Sequence, residues 1–111
     1  MAKYERKIRG NFDEILRVID EAVMTKSSSA SLEDSSYYYG KDFRSALRVY
    51  ERYSFLGGNR VSMSVLLIGS DDEYRLTIIT AGGSQAMFVK INTVGEKTFL
   101  NSVIEAVDKF K

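Results

Sequence analysis

Three runs rich in Val, Ile, Tyr and Thr follow one another from the middle of the chain onward: Ala46–Phe55, Arg60–Ile68 and Glu73–Ala81. Residues that branch at Cβ or carry rings suit a pleated, half-buried surface, so each run reads as a β-strand. The breaks between them, around Gly57-Gly58 and over Gly69 to Asp72, are short enough for hairpins. A further strand of undefined length lies between Ser28 and Tyr39 and ends in turn residues at Gly40-Lys41-Asp42. Another spans Lys3 to Arg9, where Tyr4, Arg6 and Ile8 alternate with charged neighbours. Proline is absent, so glycine and the Ser/Asn/Asp clusters punctuate the chain.

Two amphipathic helices frame this β region. Asn11-Phe12-Asp13-Glu14 has capping-box spacing, and Phe12, Ile15, Leu16, Ile19, Ala22 and Val23 then recur at intervals of three and four. The spacing predicts a first helix ending near Met24 or Lys26. Thr93-Val94-Gly95-Glu96 repeats the capping pattern before Phe99, Leu100, Val103, Ile104, Ala106, Val107 and Phe110. Ala86–Ile91 reads either as a short last strand or as an extended approach to that second helix.

Strand register follows from parity, because a slip by one residue turns every side chain to the other face. A three-residue loop Gly57-Gly58-Asn59 pairs Tyr53 with Met63, Phe55 with Val61 and Val49 with Leu67, and sets Arg52 opposite Ser64. Asn59 tolerates the left-handed backbone such a loop needs. A four-residue loop Gly69 to Asp72 pairs Leu67 with Tyr74, Val65 with Leu76 and Met63 with Ile78. The expectation is one α+β domain over residues 1–111: an antiparallel sheet of about five strands with two helices on one face, in the order β-α-β-β-β-β-α. That order is similar to the TATA-binding-protein-like and helix-grip folds, an analogy of fold that carries no function.

The 111 residues suffice for one core without staples, and 44% hydrophobic with 28% charged residues is ordinary globular composition. Cysteine and histidine are both absent. Their absence excludes disulfides, thiol nucleophiles, the Ser–His triad and ordinary zinc sites, so any catalysis would rest on Asp, Glu, Lys, Tyr, Ser or a bound cofactor. Sixteen basic and fifteen acidic residues leave a net charge of +1, which gives no long-range attraction to nucleic acid or to anionic membrane. The charged N-terminus does not read as a signal peptide, and the longest apolar stretch, Val65–Ile68, is far too short to span a bilayer. The expected location is cytoplasmic, with no cofactor and no metal.

Five features could carry a function. With the register above, Glu51 shares the core face of Val49, Tyr53 and Phe55. A carboxylate aimed at a core must be paired or have a raised pKa. It could anchor a ligand with Tyr53, Met63 and Arg6 beneath the second helix, form a structural ion pair with Arg6, or escape into solvent at a bulge. Gly82, Gly83 and Ser84, within Thr80–Gln85, could expose backbone amides to an anion, but the segment lacks the spacing and the lysine of a P-loop, which favours a turn. Tyr37-Tyr38-Tyr39 near Phe43 and Arg44 could stack bases, although a near-neutral chain without an RNA-binding motif makes strand propensity the better account. The sheet face away from the helices is expected to carry Tyr50, Leu66, Ile68 and Ile79, a candidate association surface. Asp71-Asp72-Glu73 lacks the ligand spacing of a calcium loop and reads as a solvated hairpin tip.

Several stretches taken together resemble a family of short bacterial proteins catalogued as a domain of unknown function: Arg48-Val49-Tyr50-Glu51-Arg52-Tyr53, Gly57-Gly58-Asn59-Arg60-Val61-Ser62, Gly82-Gly83-Ser84-Gln85-Ala86 and Lys90-Ile91-Asn92-Thr93-Val94-Gly95-Glu96. The resemblance covers nearly the whole chain. It implies a stand-alone bacterial protein and transfers no activity, ligand or catalytic residue. The expected function is a non-catalytic binding or interaction module that forms a homo-oligomer. The alternative is a small-ligand carrier or enzyme of helix-grip type, with a site between the C-terminal helix and the sheet.

Overall fold

The computed structural model describes residues 1–27, 29–53, 60–82 and 99–110. Asn11 stays extended and its side-chain oxygen accepts a hydrogen bond from the Glu14 amide at 2.9 Å, capping helix α1, Phe12–Lys26. Asp13 and Glu14 in the first turn and Lys26 in the last complement the helix dipole. The six apolar residues picked out by spacing are the six that α1 buries.

Five strands, β1 (Ala2–Arg9), β2 (Ser31–Tyr39), β3 (Arg44–Tyr53), β4 (Arg60–Ser70) and β5 (Glu73–Gly82), form one antiparallel sheet in the order β1-β5-β4-β3-β2. Helix α2 covers residues 99–107 and continues as a 3-10 turn, Asp108–Phe110. Phe99, Leu100, Val103, Val107 and Phe110 join the α1 stripe in a single buried cluster with Met63, Val65, Leu67, Leu76 and Ile78. Both helices therefore cover one sheet face, and the expected α+β order is the observed one. The Gly57–Asn59 loop, Phe55, the Ala86–Ile91 segment and the Thr93–Glu96 cap lie outside the described residues.

The two hairpins around β4 differ from expectation in different ways. Between β4 and β5 the last pair is Ser70 with Glu73, so the turn is Asp71-Asp72 alone. Asp71 adopts φ 57°, which Asp tolerates better than most residues, and the Tyr74 hydroxyl donates to its carbonyl at 2.7 Å. Leu67 thus pairs with Leu76 rather than Tyr74, a shift of two that leaves every side chain on its expected face.

Between β3 and β4 the shift is odd. Met63 pairs with Tyr50 rather than Tyr53, and Leu67 with Ala46 rather than Val49. This turns β3 over. Ala46, Arg48, Tyr50 and Arg52 lie on the helix side, and Leu47, Val49, Glu51 and Tyr53 on the open side. The physical reason is that Tyr50 and the two arginines find partners there that hydropathy alone does not reveal. Strand β2, at the sheet edge, is exposed at every position and carries a bulge between Leu32 and Asp34.

Candidate functional site

On the helix side, β3 presents a polar cluster to α1. The Tyr50 ring is fully buried, and its hydroxyl donates to Asp20 Oδ1 on α1 at 3.0 Å. Arg48 Nη1 donates to the Tyr50 hydroxyl and to the Leu16 carbonyl, both at 3.4 Å, while its Nε donates to the Tyr37 hydroxyl at 3.0 Å. Burial pushes the Tyr50 phenol up to about 12, against the opposing hydrogen bond from Arg48. At neutral pH Tyr50 is therefore a protonated donor already committed to Asp20, a strut between α1 and β3 rather than an acid or base. Further along β3, Arg52 lies 4.6 Å from the centre of the Phe99 ring, and burial lowers its pKa.

The expected ligand-anchoring set does not assemble. Met63 is fully buried in the core, in the same cluster as Phe99 and Val103. Arg6 sits on β1 and donates to the Tyr4 hydroxyl at 3.3 Å and to Asp108 Oδ1 at 3.5 Å. Glu51 and Tyr53 are on the opposite, open face, where Arg60 donates to Glu51 Oε1 at 2.9 Å and to the Tyr53 hydroxyl at 3.2 Å. Arg60, rather than Arg6 as in one of the three alternatives, is thus the partner of Glu51, because the odd register carries Glu51 through the sheet. The depression that Glu51 lines measures about 30 Å³, room for about one water.

Gly82 ends β5 with φ 139°, and a Cβ there would lie 2.4 Å from the Arg60 carbonyl oxygen. Close approach of β4 accounts for this glycine without an anion. Gly83 and Ser84 lie outside the described residues. Tyr37 and Tyr39 point to the helix side, where Tyr39 meets the Phe12 ring edge-on at 6.5 Å and Arg44 stands 5.4 Å from its centre. Tyr38 points to the open face and is 69% exposed. Among the described residues, no cluster of three or more metal-ligating side chains occurs, and no helix is long and apolar enough to cross a membrane.

The open face is the largest feature left uncommitted. Three cross-strand rows define it: Lys7, Arg75, Ile68, Ser45 and Tyr38; then Glu5, Thr77, Leu66, Leu47 and Ser36; then Lys3, Ile79, Ser64, Val49 and Asp34. Leu47, Leu66, Ile68 and Ile79 are between 36% and 41% exposed, and among the described residues no element packs on them. Leu66, Ile68 and Ile79 stand where the sequence put them. Tyr50, expected beside them, is instead in the core, and Leu47 and Val49 take its place. At one end of the face, Lys7, Arg9, Ile68, Glu73 and Arg75 line an open depression of about 430 Å³. Sequence reasoning missed Asp20, Arg48 and Leu47. The usable signal was Asp20 beside the apolar stripe of α1, an acceptor for a buried tyrosine on the facing sheet.

A family model described as a family of unknown function, DUF6054, matches residues 1–111. The chain belongs to DUF6054. The resemblance read from its glycine-bearing and charged motifs is therefore to a real family, and that family brings no activity with it. No curated protein matches this DUF6054 chain. Among solved structures it is similar to the crystal structure of TTHA0849 from Thermus thermophilus, with 9% sequence identity over 97% of this chain and 94% of that one, and a TM-score of 0.34.

Proposed function

We propose that this DUF6054 member is a non-catalytic interaction module, bacterial and cytoplasmic, that associates with itself through the open face of its sheet. The observation that carries this reading is the group Leu47, Val49, Leu66, Ile68 and Ile79 in the middle of a face on which no described element packs. Aliphatic side chains contiguous on a sheet face and rimmed by charge are typical of association surfaces. The polar groups best placed for chemistry support the same view. Tyr50, Asp20 and Arg48 satisfy one another, and Glu51 is paired with Arg60.

Sedimentation velocity from about 5 to 500 µM tests it. The wild-type chain should sediment as a dimer or larger species at the upper end, and Leu66→Glu should remain monomeric while keeping the wild-type circular dichroism spectrum. A wild-type monomer throughout that range would refute self-association.

A further inference from the structure

The open face distributes its charge unevenly about β4, the middle strand. On the β1–β5 side stand four cations, Lys3, Lys7, Arg9 and Arg75, against the carboxylates Glu5 and Glu73. Lys3 pairs with Glu5 at 3.7 Å and Arg9 with Glu73 at 2.7 Å. Lys7 and Arg75 remain directly opposite each other across the two strands, an arrangement of like charges that opposes strand pairing. The β2–β3 side of the same face carries Asp34 and Glu51; Glu51 is paired with Arg60 of β4, which leaves Asp34 as the carboxylate of that side without an ion pair among the described residues.

Resting on the association reading above, we propose that two copies stack their open faces about a twofold axis parallel to β4, so that the basic β1–β5 side of each meets the acidic β2–β3 side of the other. A symmetric face-to-face pair has two simple choices of in-plane axis. An axis across the strands, through the row from Glu5 to Ser36, lays β1 on β1 of the copy and brings Lys7 against its Lys3. An axis along β4 exchanges the two sides. Row by row, it sets Lys3 over Asp34 of the second copy, Ile79 over Val49, and Lys7 over the exposed Tyr38 ring, where a cation is attracted to the aromatic face. Leu66 and Ile68, on the axis, meet their own copies.

The dimensions fit. Five strands about 4.8 Å apart and about eight residues long, at ~3.4 Å per residue, give a plane on the order of 600 Å². Corrugated by side chains, that plane approaches the roughly 800 Å² per partner of a standard interface. Two antiparallel sheets related in this way would pack as an aligned sandwich.

Charge exchange tests the axis. Lys3→Glu and Asp34→Lys should each weaken the dimer about tenfold in sedimentation equilibrium at low salt, since each reverses two contacts per dimer. An equimolar mixture of the two variants should recover the wild-type affinity, because the exchanged charges attract at both contacts of the mixed dimer. The chain has no cysteine, so single thiols introduced on β4 report on the axis directly. Ser64→Cys and Ser70→Cys should both cross-link to their own copies with a short bis-maleimide. A dimer that neither charge reversal weakens, and in which only one of the two thiols cross-links, would overturn the axis while leaving self-association standing. A wild-type monomer at about 500 µM would overturn both.

Discussion

The two faces of the sheet are built by the same strands, residue by alternate residue, yet they hold their apolar side chains in different states. On the helix side Met63, Val65, Leu67, Leu76 and Ile78 are sealed beneath α1 and α2. On the open side Leu66, Ile68 and Ile79, their immediate neighbours in sequence, keep more than a third of their surface in water. The polar groups differ as well. Tyr50 and Arg48 are enclosed and tied to Asp20, whereas the Arg9–Glu73 pair stands in solvent and the half-buried Glu51 is paired with an exposed Arg60. One face is committed to folding, and on the other no described element packs.

Adjacent isoleucines give the sharpest contrast. Ile78→Ala should cost about 2–5 kcal/mol in urea denaturation, because it opens a cavity in a packed core. Ile79→Ala, measured at concentrations where the chain is monomeric, should cost less than about 1 kcal/mol. Equal losses would mean that the open face is covered within the monomer.

A second contrast concerns pH. The folded Tyr50 pKa lies near 12, above its ordinary value of 10.0. The neutral phenol is thus favoured by folding, and this contribution is full below pH 10 and lost as pH rises from 10 to 12. The shift corresponds to about 2–3 kcal/mol. Wild type should lose that much more stability than Tyr50→Phe over this interval, and parallel pH profiles of the two would show that Tyr50 is not buried against Asp20.

The smallest effect belongs to the open-face charges. Glu51→Gln should change monomer stability by less than about 0.5 kcal/mol, because a pair whose Arg60 partner is exposed to water gains little. A loss above about 2 kcal/mol would instead mark Glu51 as an enclosed group.

Most of the architecture was legible from pattern: α1 with its cap at Asn11, the strand sequence, and the buried sets of β4 and β5. The β4–β5 register was displaced, but by an even number, so Val65, Leu67, Leu76 and Ile78 still faced the core. The β3 register was displaced by an odd number, and every site built on it moved with it. Its cause is visible in the residues. Leu47, Val49 and Tyr53 make the more apolar alternation, and a reading by hydropathy buries them. The chain instead buries Tyr50, because Asp20 on α1 accepts its hydrogen bond, and lets Arg48 and Arg52 lie along rings at the margin of the core. Such compensation depends on which residues of distant elements come together, which spacing along one strand does not record. Family membership was legible from the motifs, while function was not, since the family carries none.

The pairing of β1 with β5 bears on how this chain reaches its native state. Strands β4 and β5 meet across a two-residue turn, but Ala2 must find Thr80. Closing a loop of that size exacts entropy before any hydrogen bond rewards it, and contacts between distant parts of the chain slow the search. The local hairpins can zip independently, whereas the sheet is complete only after the N-terminal strand docks alongside β5. The earliest of the five strands is thus the one whose partner arrives last.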